Sequence, residues 1–188
     1  MTKILALAGS VRADSYNKRV VAIAAEGARE AGGDVTIIDL ADFHLPVFNA
    51  DDVEENGFNA DAYRLQDAFN EHDGFLFCSP EYNGGIPGGF KNAIDWASRA
   101  NDKFATNQVF KGKTAALMAA SPGALGGIRC LAHLRGVITS LGIWLLPSEI
   151  AVSGVAARFD GSGTEMTDEK MRGILKNHGA ALVHALEG

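Results

Sequence analysis

The chain has only two cysteines, Cys78 and Cys130, in 188 residues. Two thiols that far apart exclude a disulfide-stapled scaffold and a cysteine-based zinc site. They read as reduced, buried side chains of a cytosolic protein. The histidines (His44, His72, His133, His178 and His184) share no metal-ligand spacing, so no metal is expected. Positive charge is also scarce. A formal net charge of −6 with no basic stripe argues against a nucleic-acid partner. No apolar run approaches the roughly 20 residues of a membrane span. The first apolar run begins at Ile4, is short, and enters a polar glycine loop rather than a signal-peptide cleavage site. Internal repeats, linkers and low-complexity tracts are missing too. These absences leave one cytoplasmic globular domain over residues 1–188, with no membrane partner.

Further absences narrow the chemistry. After Gly9, a dinucleotide fingerprint would need glycines at positions held by Val11 and Asp14. Gly112-Lys113-Thr114 copies the end of a P-loop, but the required upstream glycine is replaced by Asn107, and the segment enters a strand rather than a helix. The loop after the first strand contains no cysteine, which excludes the phosphatases and arsenate reductases that place a nucleophilic thiol there. No Ser-His-Asp or Cys-His constellation stands out.

What is present is a regular alternation. Residues 3–8 read as a continuously apolar strand, as expected of a parallel strand covered on both faces. A helix over about 15–31 follows and ends at Gly32-Gly33. Val35 to Leu40 reads as a strand, and the polar stretch Asn49 to Asn59 as part of a long loop. A helix over about 60–72 and a strand from Gly74 to Cys78 come next. A third helix starts near Pro87, with Phe90, Ala93, Ile94 and Ala97 spaced to form one buried face. Thr114 to Ala120 reads as a strand, about 126–141 as a helix, and a last strand lies within 143–152. Phe159 to Gly163 is a turn. Thr167 is the expected N-cap of the final helix, with Asp168 and Glu169 in its first turn. Alternation of this kind implies an α/β/α fold with a five-stranded parallel sheet. A site on the first loop points to the flavodoxin-like order 2-1-3-4-5.

In such a sheet, ligands bind beyond the carboxyl ends of the strands. Two loops there are chemically loaded. The first, Gly9-Ser10-Val11-Arg12-Ala13-Asp14-Ser15-Tyr16-Asn17, joins hydroxyls and an arginine to a helix start, which suits a phosphate dianion. Asp14 would repel that phosphate and is expected to face solvent. The second loop, Ser79-Pro80-Glu81-Tyr82-Asn83-Gly84-Gly85, offers an aromatic wall and free backbone groups, which suit a planar heterocycle. A phosphate end and a ring end together fit FMN. Glu81 has two readings: its side chain caps a local turn while its backbone faces the ligand, which is favoured, or its carboxylate takes part in the chemistry. Phe90 and Trp96 are expected in the core or at a subunit contact.

These residues resemble a known family. Gly9-Ser10-x-Arg12-x-x-Ser15-x-Asn17 is similar to the first-loop pattern of NAD(P)H-dependent FMN reductases, the group that includes quinone, chromate and azo-compound reductases. Pro80-Glu81-Tyr82-Asn83, then Pro87-Gly88 and Lys91 to Trp96, resembles the most specific signature of that group. Gly126-Gly127-x-Arg129-Cys130 with His133-Leu134-Arg135 resembles its fourth-helix segment. Leu45-Pro46 and the Phe159-Asp160 turn also fit, so the likeness spans nearly the whole chain.

The resemblance implies one FMN per subunit, NADPH or NADH as co-substrate, a small-molecule electron acceptor and a homodimer or homotetramer. By that similarity Ser10, Arg12, Ser15, Tyr16 and Asn17 hold the phosphate end. Pro80, Glu81, Tyr82, Asn83 and Gly84 hold the ring, with Ser121 nearby. The chain departs from the pattern at Gly84-Gly85, where many members carry a larger residue and then serine. The mechanism belongs to the cofactor, and no catalytic side chain is expected. A competing reading is a flavodoxin-type electron carrier that serves a protein partner. Another is a flavin-free domain that keeps only the fold. Arg129, near a helix start that disfavours a cation, is expected to need a carboxylate, with Glu149 across a subunit contact as the candidate.

Overall fold

The computed structural model describes every residue from Met1 to Gly188. Five strands, β1 (Lys3–Ala8), β2 (Asp34–Asp39), β3 (Gly74–Ser79), β4 (Thr114–Ala120) and β5 (Trp144–Val152), form one sheet. All neighbours are parallel and the order is β2-β1-β3-β4-β5, the flavodoxin-like order expected from the sequence. Side chains alternate between two cores because strand residues point to opposite faces. Ile4, Ala6, Ala8, Leu76 and Cys78 meet α1 (Tyr16–Glu30) and α6 (Glu169–Glu187) on one face. Leu5, Leu7, Phe75 and Phe77 meet α3 (Ala60–Asn70), α4 (Gly88–Ala97) and α5 (Ile128–Ser140) on the other.

Two glycines allow α1 and α6 to touch backbone to backbone. A Cβ on Gly27 would lie 2.0 Å from the Lys176 carbonyl oxygen, and one on Gly179 would lie 1.8 Å from that of Ala24. Phe90 and Trp96 are both buried, and the Trp96 indole donates to the Pro46 carbonyl at 2.7 Å.

Two local readings change. The polar stretch after Asn49 contains a short helix, α2 (Ala50–Asn56). Asn49 caps it by accepting from the Asp51 amide at 3.1 Å, and it buries no residue, so it has no apolar face for a periodicity argument to detect. At the last helix the N-cap is Asp168 rather than Thr167: its carboxylate accepts from the Met171 amide at 3.0 Å.

The carboxyl ends of β1, β3 and β4 are tied together at one edge of the sheet. The Gly9 amide donates to the Cys78 carbonyl at 2.9 Å. Gly9 sits directly on Phe90, and a Cβ there would come within 2.4 Å of that ring. The Asn17 carboxamide, buried at the start of α1, bridges to β4. It donates to the Ala120 carbonyl at 3.0 Å and accepts from the Ala120 amide at 2.9 Å and the Cys78 thiol at 3.1 Å.

Candidate cofactor site

At this edge the loop between β1 and α1, the loop between β3 and α4, and the loop between β4 and α5 enclose a cleft of about 170 Å³. Of the residues named from the sequence, Ser10, Arg12, Ser15, Tyr16, Asn17, Pro80, Glu81, Tyr82 and Ser121 line it. Asn83 and Gly84 do not.

The end formed by the first loop has polar groups to spare. Ser15 is the N-cap of α1, yet its hydroxyl makes no cap hydrogen bond, and the first turn of α1 carries no acidic residue. The first amides of a helix lack intrahelical acceptors and, with the dipole, attract an anion. Arg12 is exposed, and no ion pair or hydrogen bond within the chain engages its guanidinium. Its amide donates to the Ser10 hydroxyl at 3.3 Å, which shapes the loop. Asp14 also lines this end, but its side chain is 89% exposed to solvent, 3.4 Å from Arg19.

The other end is rigid and its polar groups are largely engaged. Tyr82 and Gly85 pair in both directions, at 3.1 Å and 3.0 Å, across a two-residue turn. Asn83 (φ 53°) and Gly84 (φ 79°) both take the left-handed conformation that a type I′ turn requires. The amides of Asn83 and Gly84 have no acceptor within the chain and stand at the tip of that turn. Tyr82 remains half exposed and forms a wall of the cleft. Ser121 anchors the third loop by accepting from the Gly123 amide at 3.1 Å.

Glu81 does not cap a local turn. Its side chain reaches α5 instead. One carboxylate oxygen accepts from the amides of Arg129 and Cys130, both at 3.1 Å. The other accepts from the Arg129 guanidinium, at 2.7 Å from Nε and also from Nη2. The Arg129 guanidinium lowers the Glu81 pKa. Partial loss of water opposes this, and the Cys130 amide adds to the lowering. The expected Arg129–Glu149 pair is therefore not what the chain builds. Arg129 does have a carboxylate partner, as its place near a helix start demands, but that partner is Glu81. Glu149 pairs with Arg135 at 2.7 Å.

The sequence reading missed Ala120, Pro122 and Val155, which also line the cleft. Pro122 follows Ser121 directly and could have been included with it. Val155 comes from a single 3-10 turn after β5, and no local motif marks it. The two thiols take no part. Burial pushes both above the ordinary cysteine range, Cys78 furthest, and the Cys130 thiol donates to the Ser79 hydroxyl at 3.3 Å.

Residues 2–158 match the family described as NADPH-dependent FMN reductase. The chain belongs to that family. An NAD(P)H-dependent FMN reductase of Pseudomonas aeruginosa is 34% identical over 181 residues, covering 96% of this chain and 92% of that protein. A quinone reductase of Escherichia coli K12 is 33% identical over 153 residues, covering 81% of this chain and 78% of its own length. Among solved structures, FerB, a flavoenzyme NAD(P)H:(acceptor) oxidoreductase of Paracoccus denitrificans, superposes with a TM-score of 0.79 at 28% identity, covering 100% of this chain and 98% of that one. Members of the FMN reductase family are oxidoreductases that use FMN with NAD(P)H as electron donor, and this chain is one of them. No helix in it is long and apolar enough to cross a membrane.

Proposed function

We propose that this FMN reductase passes electrons from NAD(P)H to small acceptors such as quinones, with donor and acceptor taking turns at one open mouth. The observation that carries the reading is the cleft itself. Unspent anion-binding groups at the start of α1 share it with the half-exposed Tyr82. A monophosphate with a flat head fits those two ends.

FMN, when bound, supplies a ring that can accept and release a hydride. The residues of the chain do the rest. Arg12, the Ser10 and Ser15 hydroxyls and the first amides of α1 bind the phosphate. Pro80, Tyr82 and the Ser121-Pro122 loop would flank the ring, and the amides of Asn83 and Gly84, outside the cleft lining, are unpartnered donors on the same loop as Tyr82. Asn17 acts mainly through the frame, because its carboxamide is already committed to Ala120 and Cys78. Of the two carboxylates at the cleft, Asp14 points to solvent and Glu81 is held on α5. The proposed roles therefore include no catalytic side chain. The same reading includes a homodimer or homotetramer in the cytoplasm.

Steady-state kinetics test the proposal. NADPH or NADH varied against a soluble quinone should give parallel double-reciprocal lines. Converging lines would overturn the alternating scheme. No turnover with any quinone, chromate or azo dye would overturn the acceptor class.

A further inference from the structure

We infer that Glu81 is a positioning residue for the ring end of the cleft: it fixes the distance between two walls and cancels the positive charge behind them. The inference rests on the reading that the cleft holds FMN.

The start of α5 is built from Gly126 (φ 61°) and Gly127 (φ 91°), and no side chain of its own caps it. The amides of Arg129 and Cys130 would lack partners there. The carboxylate of Glu81, from a different loop, takes both. Only 7% of the Glu81 side chain is exposed, against 59% of Arg129. Glu81 therefore reaches into a sheltered niche while Arg129 folds over it from outside.

The chain neighbours of these groups give the contact its consequence. Glu81 lies between Pro80 and Tyr82, and all three line the cleft. Ser121 and Pro122 also line it, from the loop that leads into α5. One carboxylate thus ties together the two loops that flank the ring. It also offsets two positive charges, the α5 dipole and the Arg129 guanidinium, beside the place where a reduced ring would carry added negative charge.

Opposite charge changes at this pair separate positioning from plain stability. Glu81→Gln leaves Arg129 and the helix start unbalanced. It should weaken binding of oxidised FMN at least fivefold and favour the two-electron-reduced form relative to the oxidised one. Arg129→Met, at an exposed side chain, leaves the carboxylate in excess and should favour the oxidised form. Each shift in the ratio of the two dissociation constants should be about threefold, which is roughly 14 mV for a two-electron couple. The readouts are FMN fluorescence titration and spectroelectrochemical titration of the loaded variants, with thermal melts of the apo forms alongside. Shifts of opposite sign support the inference. Shifts of the same sign, or variants that melt lower while affinity and potential match the wild type, overturn it. If the wild type does not bind FMN, the cofactor reading fails, which is a separate outcome.

Discussion

The two ends of the cleft use their polar groups in opposite ways. At the first loop Arg12, the Ser15 hydroxyl and the start of α1 are unspent. At the second, Glu81 is held by four donors and Tyr82 is locked to Gly85 across a turn. A site that grips a dianion needs donors without internal partners. A site that seats a flat ring needs fixed walls more than free charge. Binding energy should therefore concentrate at the first end, and shape at the second.

The largest effect expected follows from that contrast. Arg12→Ala removes a charged contact worth about 1.5–3 kcal/mol, so FMN affinity should fall at least tenfold. The melting temperature of the apo protein should stay the same, because nothing in the fold leans on Arg12. Riboflavin, which lacks the phosphate, should bind both proteins equally. Fluorescence titration with the two ligands checks this. An equal loss for riboflavin would mean that the ends are not separable.

Asn17 tests the frame beneath both ends. Asn17→Ala leaves the buried Ala120 amide and carbonyl without their partners, at a cost of about 2 kcal/mol. For a chain of this size the apo melting temperature should fall by roughly 4–8 °C. An unchanged melt with a large loss of FMN affinity would reassign Asn17 as a direct ligand.

Glu81, at the second end, should contribute to the pH dependence of stability. The Glu81 pKa is lowered in the folded protein, chiefly by Arg129. A lowered carboxylate pKa adds stability that is complete above the unfolded value and is lost as pH falls through the folded one. Between about pH 5 and pH 3 the wild type should therefore lose more stability than Glu81→Gln does. Asp61, Asp160 and Asp168 are lowered too, so the variant should retain part of the slope. Thermal melts across that range check it, and identical slopes would remove Glu81 from the acid response.

How much of this could be read from the sequence depended on whether the signal was local. The strands were legible because residues such as Phe75-Leu76-Phe77-Cys78 are buried on both faces and need no partner information. The hairpin tip was implicit in Asn83-Gly84, a pair that tolerates left-handed backbone. The polar cluster of Ser10, Arg12 and Ser15 was visible in their spacing, and the fold brings the three to one cleft. What escaped was long-range. Glu81 finds α5 across the sheet edge, and the dipole argument said only that Arg129 needed a carboxylate. The expectation named Glu149, but within the chain Arg129 pairs with Glu81 and Glu149 with Arg135, a choice that tertiary distance makes. The Asn17 bridge was hidden for the same reason: position and polarity suggested a ligand contact, while its partners lie on β3 and β4. Helix α2 escaped because it buries nothing.

The smallest effect expected is at Gly85, and it sharpens the contrast most finely. By resemblance, many family members carry serine here. The backbone of Gly85 does not need positive φ, and a Cβ would meet only the His133 ring and the Tyr82 carbonyl, both at 3.8 Å. Gly85→Ser should therefore fold normally and keep FMN affinity within about twofold, well under 1 kcal/mol. If walls rather than charge govern this end, a hydroxyl added beside the Tyr82 turn should change the KM for a bulky quinone and leave that for NAD(P)H alone. Steady-state kinetics with quinones of increasing size read this directly. A tenfold loss of FMN affinity would instead make Gly85 part of the ring seat, and the second end would then bind as strongly as the first.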